Sequence, residues 1–259
     1  MALHFSCTLC GLCCHGLRLP LGLAEARTWV EEGGDVELFC EAIPWPQEPP
    51  MEDGLAQHKR KRSFATSSGT LPVRVTVSLL ATFAGPCPNL RSDMSCGIYE
   101  RRPMACRIYP AEVNPFLSVE PAQKLCPPEA WQTEAVLQND DGGWADTTVA
   151  EAVESRRGTD YREAAMKGRL CQLLGITEAG LTNEGVVTHA PARSALLAAL
   201  DAALVDARPD VMSPDWRLVS HRPNTLTLLA SAGASRMDAS ELAAGDKRFI
   251  AFVEPGIYA

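Results

Sequence analysis

The chain has 259 residues, 46% of them hydrophobic and 22% charged, with a formal net charge of -8 at pH 7. That length allows one large domain or two modest ones, and the composition is ordinary for a protein that buries a core. The negative charge argues against nucleic acid as a partner, since phosphates are bound through Lys and Arg, and no run approaches the ~20 apolar residues that a membrane helix needs.

The first segments of the chain predict short elements between irregular connections. Residues 23–32 indicate a helix that ends at Gly33. Four prolines within residues 42–51 predict an irregular connection. The basic run at residues 58–62 has no interleaved aromatic residue, so we expect a solvated loop there and not a nucleic-acid patch.

The middle of the chain predicts one strand and one helical turn. Valines alternate with polar residues at the start of residues 71–83, which is typical of a strand that buries one face. Pro103 is accepted at the first position of a helix, so it can open a short turn that carries Cys106.

The second half predicts mainly helices. Residues 146–157, 161–174 and 193–207 are rich in good helix formers, and residues 225–230 and 248–253 are strand candidates. Leucines at helical spacing predict a buried face on the third helix: Leu196, Leu197, Leu200 and Leu204. We therefore expect an α+β protein, with an irregular cysteine-rich lobe that has a few strands and a mainly helical C-terminal region.

Ten cysteines are distributed unevenly, and nine of them precede residue 127. This shift predicts a metal-binding domain at residues 1–130, followed by a region of a different role at residues 131–259. The N-terminus lacks the basic n-region of a secretory signal, so we expect a cytoplasmic protein. Thiols stay reduced in the cytosol, and metal therefore explains so many cysteines better than disulfides do.

The N-terminal run places four cysteines within eight residues, in the order Cys7-Thr-Leu-Cys10-Gly-Leu-Cys13-Cys14. A C-x2-C spacing lets two thiolates converge on one soft or borderline metal ion. Gly11 fits this geometry, because a left-handed backbone there costs glycine nothing. The side chains of Cys13 and Cys14 tend to diverge, so they can serve two metals or two atoms of one cluster.

A second motif spans residues 96–110 and reads Cys-Gly-Ile-Tyr-Glu-Arg-Arg-Pro-Met-Ala-Cys-Arg-Ile-Tyr-Pro. Together with the N-terminal run, it resembles the YkgJ-like cysteine cluster family, also described as a zinc- or iron-chelating domain. The resemblance covers roughly residues 5–130. It implies that the metal ligands are the eight cysteines Cys7, Cys10, Cys13, Cys14, Cys87, Cys96, Cys106 and Cys126. A related cysteine cluster occurs in flagellin lysine N-methylases, where it resembles an iron–sulfur site.

The resemblance also implies a role for a pattern of residues around the second motif: Tyr99, Arg102, Pro103 and Arg107. The two arginines can donate hydrogen bonds to sulfur, or form salt bridges with Asp93 or Glu100. Of the other candidates, Cys40 and Cys171 lack a motif and are expected to be buried apolar residues. His15 is expected to be an ordinary histidine.

The metal and the function remain open among three classes. The compact N-terminal run favours an iron–sulfur cluster over zinc, which typically uses two C-x2-C pairs. We rank a redox or metal-carrier module that serves a protein partner first. A structural zinc protein that acts as an interaction module comes second, and a protein-modifying, methylase-like enzyme comes third. Catalytic residues cannot be assigned, because the sequence has no phosphate-binding loop, dinucleotide fingerprint or H-E-x-x-H motif.

Overall fold

The computed structural model describes residues 2–16, 18–206, 215–242 and 245–252. The helices are α1 Leu23–Glu31, α2 Gly54–Lys61, α3 Met104–Ile108, α4 Thr147–Leu174, α5 Arg193–Val205 and α6 Pro223–Ser231. The strands are β1 Leu3–His4, β2 Leu19–Leu21, β3 Asp35–Pro44, β4 Phe64–Ser68, β5 Leu71–Thr82, β6 Val136–Gln138, β7 Glu178–Leu181, β8 Gly185–His189, β9 Arg217–Ser220, β10 Arg236–Asp238 and β11 Lys247–Ala251. Helices and strands occur together as predicted, and the fold class is α+β.

The chain forms two compact units, each built from two separate segments. The cysteine unit comprises Met1–Leu21 and Thr82–Thr159, and the sheet unit comprises Gly22–Ala81 and Asp160–Ala259. The boundary predicted near residue 130 falls inside the cysteine unit, and the two-domain division of the sequence stays a prediction.

Apart from the first part of α4, the regular elements described in the cysteine unit are short. Strands β1 and β6 pair antiparallel, with Leu3 opposite Gln138. A small core of Ile108, Ala111 and Val153 joins α3 to the first part of α4. Strand hydrogen bonds and apolar packing are therefore sparse in this unit. Its loops must be held in place by interactions of another kind.

The sheet unit is built on a mixed sheet. Its strands follow the order β10-β9-β7-β3-β5, while β4 pairs with β5, β8 with β3 and β11 with β8. Strands β3, β7, β9 and β10 run parallel along this path, and β4, β8 and β11 pair antiparallel. Every second residue of β5 is buried, as the valine alternation predicts.

The predicted helices are largely confirmed, with two differences in detail. The helices predicted at residues 146–157 and 161–174 form one continuous helix, α4. On α5, Leu196 and Leu200 are buried as predicted, but the stripe is completed by Ala199 and Ala203. The final residue of that predicted helix, Ala207, lies outside the described residues.

Two local predictions are wrong. Residues 225–230 form the helix α6 and not a strand, because Pro223 occupies its first turn and Thr225 hydrogen-bonds through Oγ1 to Glu184 at 2.5 Å. The basic run at residues 58–62 is not a loop: residues 58–61 belong to α2, and Arg62 directly follows its last residue. The first turn of α2 is capped by the Asp53 carboxylate, which accepts the Ala56 N–H at 2.9 Å.

At the C-terminal end, the strand predicted at residues 248–253 is present as β11, which ends at Ala251. Val253 lies outside the described residues. The C-terminal region thus has the expected helices, and it also contributes strands β7 to β11 to the sheet. Among the described residues, no helix combines the length and the apolar character needed to cross a membrane.

Candidate metal centre

The N-terminal cysteine run turns sharply at Gly11, as predicted. This glycine has φ of 70° and precedes a tight helical turn over Leu12–Cys14. The Gly11 carbonyl accepts the Cys14 N–H at 2.9 Å, and the His15 ring lies 3.1 Å from the same oxygen through Nδ1. His15 therefore supports the turn.

A loop that carries Cys87 and Cys96 is fastened to the end of this run. The Cys87 N–H donates to the Cys14 carbonyl at 2.7 Å, so these two residues are direct backbone neighbours. Within the loop, the Gly97 N–H donates to the Asn89 carbonyl at 2.7 Å and folds Cys96 back toward Cys87. The resulting arrangement brings two distant cysteines beside Cys14.

Two residues without glycine's freedom adopt left-handed backbones next to these cysteines. Leu9 has φ of 55° and Met94 has φ of 66°. Such conformations cost energy for residues that carry a Cβ, and they persist only where the surrounding structure holds them. Both residues lie between predicted ligands, which indicates that the chain bends to fit the cysteine positions.

Cys106 lies on the short helix α3, directly after the proline predicted to open it. Its N–H donates to the Pro103 carbonyl at 2.9 Å. Neighbouring Arg107 donates through Nη2 to the Glu100 carbonyl at 2.8 Å and through Nε to the Arg102 carbonyl at 3.0 Å. The Arg107 side chain therefore fixes the backbone of the turn that leads into α3.

Arg102 has a related role on the same turn. Its guanidinium carbon stands 3.7 Å from the centre of the Tyr99 ring, and its Nε donates to the Tyr99 carbonyl at 3.0 Å. The contacts made by the two arginines thus differ from both sequence interpretations, since they go to backbone carbonyls and an aromatic ring. They shape the loop between Cys96 and Cys106.

Cys126 is associated with a tyrosine that the sequence reasoning missed. The Tyr109 hydroxyl accepts the Leu125 N–H at 2.7 Å and also hydrogen-bonds to the thiol of Cys126. Burial, followed by the charge of Cys126, raises the pKa of Tyr109 to about 12. The sequence feature that could have indicated this role is the position of Tyr109 in the second motif, three residues after Cys106.

The thiols of the cysteine unit lie within electrostatic range of one another. Burial, followed by the charges of Cys13 and Cys87, raises the pKa of Cys14 to about 12. Burial and the charges of Cys13 and Cys14 raise the pKa of Cys106 to about 12, and burial also dominates the rise of Cys126 to about 11. A group of thiols that resist ionisation together is stabilised as thiolates once a cation is present.

All eight predicted ligands lie in the cysteine unit, where none is fully buried. Within the described ranges, no three Cys, His, Asp or Glu side chains are grouped as a ready-made site for one ion. The donor chemistry nevertheless fits iron or zinc, because several reduced thiols occupy one small region. The role of these residues as ligands stays a prediction.

The two remaining cysteines belong to the sheet unit. Cys40 on β3 and Cys171 on α4 are fully buried, as expected for cysteines without a motif. A hydrogen bond with Cys171, together with burial, raises the pKa of Cys40 well above its usual value. Both cysteines are core residues of the sheet unit.

Comparison with known families now adds to the geometry. The model of the CxxCxxCC family, described as a "Putative zinc- or iron-chelating domain", matches residues 6–127. Residues 6–127 are therefore similar to this family, and the match covers just under half of the chain. The match confirms the resemblance drawn from the two motifs, and it supports metal binding as the general function of the CxxCxxCC domain. No curated protein and no solved structure matches the chain.

Proposed function

We propose that the protein is a metal-binding module whose CxxCxxCC domain holds an iron–sulfur cluster and serves a protein partner in electron transfer or metal delivery. The observation that carries this proposal is the gathering of eight free thiols into the cysteine unit, four from the N-terminal run and four from residues 87–126. The preference for iron over zinc rests on the compact C-x2-C-x2-C run, which is typical of cluster ligation.

The exposure of the thiols supports a module that exchanges with a partner. Cys7 and Cys13 are exposed, and the other predicted ligands are half-buried. A bound iron–sulfur cluster would supply one-electron transfer at a potential set by hydrogen bonds and solvent access. The protein's own residues shape the surrounding loops, through the turn at Gly11 and the carbonyl contacts of Arg107. Cytoplasmic location, with neither nucleic acid nor membrane as a partner, is part of the proposal.

A structural zinc site that supports an interaction module is the second candidate. It is favoured by the small core and the short strands of the cysteine unit, since a metal that joins loops can supply the missing stability. Under this alternative, metal removal would unfold the cysteine unit, and zinc alone would restore partner binding.

The deciding experiment is anaerobic purification followed by elemental analysis and a visible spectrum of the same sample. Iron with acid-labile sulfide and a broad visible absorption, changing reversibly on reduction, is the expected result. Colourless protein with stoichiometric zinc would support the second candidate. Protein without either metal after reconstitution would contradict both.

Variants then connect the metal to the predicted ligands. Cys10→Ser and Cys106→Ser should lower the bound metal, whereas Cys171→Ala, which alters a buried cysteine of the sheet unit, should leave it unchanged. Unchanged metal content in both serine variants would refute the ligand assignment.

A further inference from the structure

The sheet unit contains two cysteines that the metal-binding proposal does not use. Cys40 lies on β3 and Cys171 lies near the end of α4, and neither side chain is exposed to solvent. More than a hundred residues separate them in the sequence, and no motif links them. Whether the two thiols can meet depends on the backbone that carries them.

The backbone that follows α4 holds Cys171 close to β3. The Cys171 carbonyl accepts the Ile176 N–H at 2.9 Å, across the tight turn that ends the helix. The chain then enters β7, in which Gly180 is the parallel partner of Glu41. Glu41 directly follows Cys40, so the strand that continues the chain from Cys171 pairs with β3 beside Cys40.

The two thiols are in contact within the core. Cys40 belongs to the buried face of β3, together with Leu38 and Ala42, which have no exposed surface. Leu170, the residue before Cys171, is fully buried as well. Between these apolar neighbours the Cys40 and Cys171 thiols share a hydrogen bond. Thiols in direct contact are placed to form a disulfide, whose sulfur atoms lie ~2.05 Å apart.

From this placement we infer that Cys40 and Cys171 are a redox-active pair that forms a reversible disulfide between β3 and α4. The inference is independent of the metal centre, because both cysteines lie in the sheet unit and all eight predicted ligands lie in the cysteine unit. The disulfide closes a loop of more than a hundred residues, so oxidation should stabilise the sheet unit against unfolding.

The oxidant is hydrogen peroxide, and the reaction has two steps. The Cys171 thiolate attacks one peroxide oxygen, the O–O bond breaks, and the departing hydroxide takes up the proton that the thiol released, which leaves a sulfenic acid on Cys171. The Cys40 sulfur then attacks the Cys171 sulfur, the S–O bond breaks, and the Cys40 proton leaves with the hydroxyl group as water. Two thiols are thus oxidised to one disulfide while one peroxide is reduced to two waters.

The position of Cys171 near a helix end gives this buried pair a route to the oxidant. Cys171 lies in the last turn of α4, which ends at Leu174, and Leu173 in the same turn is 40% exposed. Fraying of this turn admits a small oxidant to Cys171, whereas Cys40 lies in the middle of a long strand. The hydrogen bond with Cys171, together with burial, raises the pKa of Cys40, so Cys40 is the thiol that reacts second.

The test uses the full chain as purified, with its other cysteines and any bound metal in place. After treatment with hydrogen peroxide, the remaining thiols are alkylated in denaturant and the peptides are mapped by mass spectrometry without reductant. The expected product joins the peptide that contains Cys40 to the peptide that contains Cys171, and dithiothreitol separates them. The urea midpoint of the oxidised chain should be higher than that of the reduced chain, and reduction should reverse this shift.

Variants and conditions distinguish a native pair from an accidental one. Cys40→Ala and Cys171→Ala should each lack the linked peptides and the shift of the urea midpoint. Recovery of both cysteines unlinked, in buffer and in urea below the unfolding transition, would overturn the inference. A Cys40–Cys171 link that forms only in the fully unfolded chain would overturn it as well. The wild-type result decides the matter by itself if either variant fails to fold.

Discussion

Gly11 offers the sharpest test of how the cysteine run is shaped. A Cβ at this position would lie 2.7 Å from the Met94 Cε atom, 3.1 Å from the Met94 carbonyl oxygen and 3.3 Å from the Leu90 Cδ1 atom, and φ is already 70°. Gly11→Ala therefore introduces two penalties, one from the left-handed backbone and one from crowding against the Cys87–Cys96 loop.

The two penalties can be given magnitudes. A left-handed residue with a Cβ costs roughly 1–2 kcal/mol. The Met94 methyl group can swing away, but its carbonyl is backbone and must shift, which adds roughly 1 kcal/mol of overpacking. The total of roughly 2–3 kcal/mol corresponds to a loss of about 30- to 150-fold in metal affinity, if metal binding orders the run.

The assay is competition between the protein and a chelator of known affinity for Zn²⁺. Gly16→Ala is the matched control, because Gly16 has φ of 66° but no atom within 4 Å of its added Cβ. This control carries only the penalty for the left-handed backbone, so its metal affinity should fall by roughly 5- to 30-fold. Equal losses of metal affinity in the two variants would refute the claim that the cysteine run packs against the Cys87–Cys96 loop. Unchanged metal affinity in both variants would refute the left-handed turn itself.

Three further predictions concern pH and packing. Metal-free protein should lose stability as pH rises from about 9 toward 12, because the pKa values of Cys14 and Cys106 are raised from 9.0 to about 12, so folding favours protonated thiols. Glu178→Gln should destabilise the sheet unit by about 1–3 kcal/mol, because the buried carboxylate pairs with two cations. Leu200→Ala should cost about 2–5 kcal/mol through the cavity that it leaves in α5.

Denaturant unfolding measures these effects. The metal-free protein is unfolded at a series of pH values, and the Glu178→Gln and Leu200→Ala variants are unfolded at pH 7. Stability that stays flat or rises across the alkaline range would contradict the first prediction. Asp35→Asn removes an exposed partner of Arg193 and should leave stability nearly unchanged, in contrast to Glu178→Gln. Leu228→Ala, at a leucine that is 69% exposed, is the control for Leu200→Ala and should cost less than about 0.5 kcal/mol.

The elements that sequence predicted well are those set by local pattern. Strand β5 follows from alternating valines, α1 from helix formers bounded by glycine, and α3 from Pro103. The left-handed turn at Gly11 was also predictable, because a C-x2-C run needs a residue that accepts positive φ. Each of these features depends on a few consecutive residues.

The features that sequence did not predict depend on distant partners. Thr and Leu alternate in residues 225–230, and this pattern is typical of a strand. In the structure the segment is a helix, and the Thr225 hydroxyl donates a hydrogen bond to the Glu184 carboxylate, some forty positions earlier in the chain. The interleaved units likewise arise from long-range pairing, since β3 finds its parallel partner β7 across more than a hundred residues. The hydrogen bonds that hold the cysteine run join Ser6 to Ala130 and Cys14 to Cys87, and no local pattern encodes them.

The interleaving of the two units has a consequence for the order of events on the ribosome. The backbones of Cys14 and Cys87 are joined by a hydrogen bond, but the first segment of the sheet unit, Gly22–Ala81, is synthesised between them. At ~5–20 residues per second, the ~70 intervening residues take ~4–14 s to appear, and Cys126 comes later still. The four thiols of the N-terminal run are therefore synthesised well before the other four predicted ligands. Under the proposed ligand assignment, metal loading is completed only after most of residues 6–127 have been made.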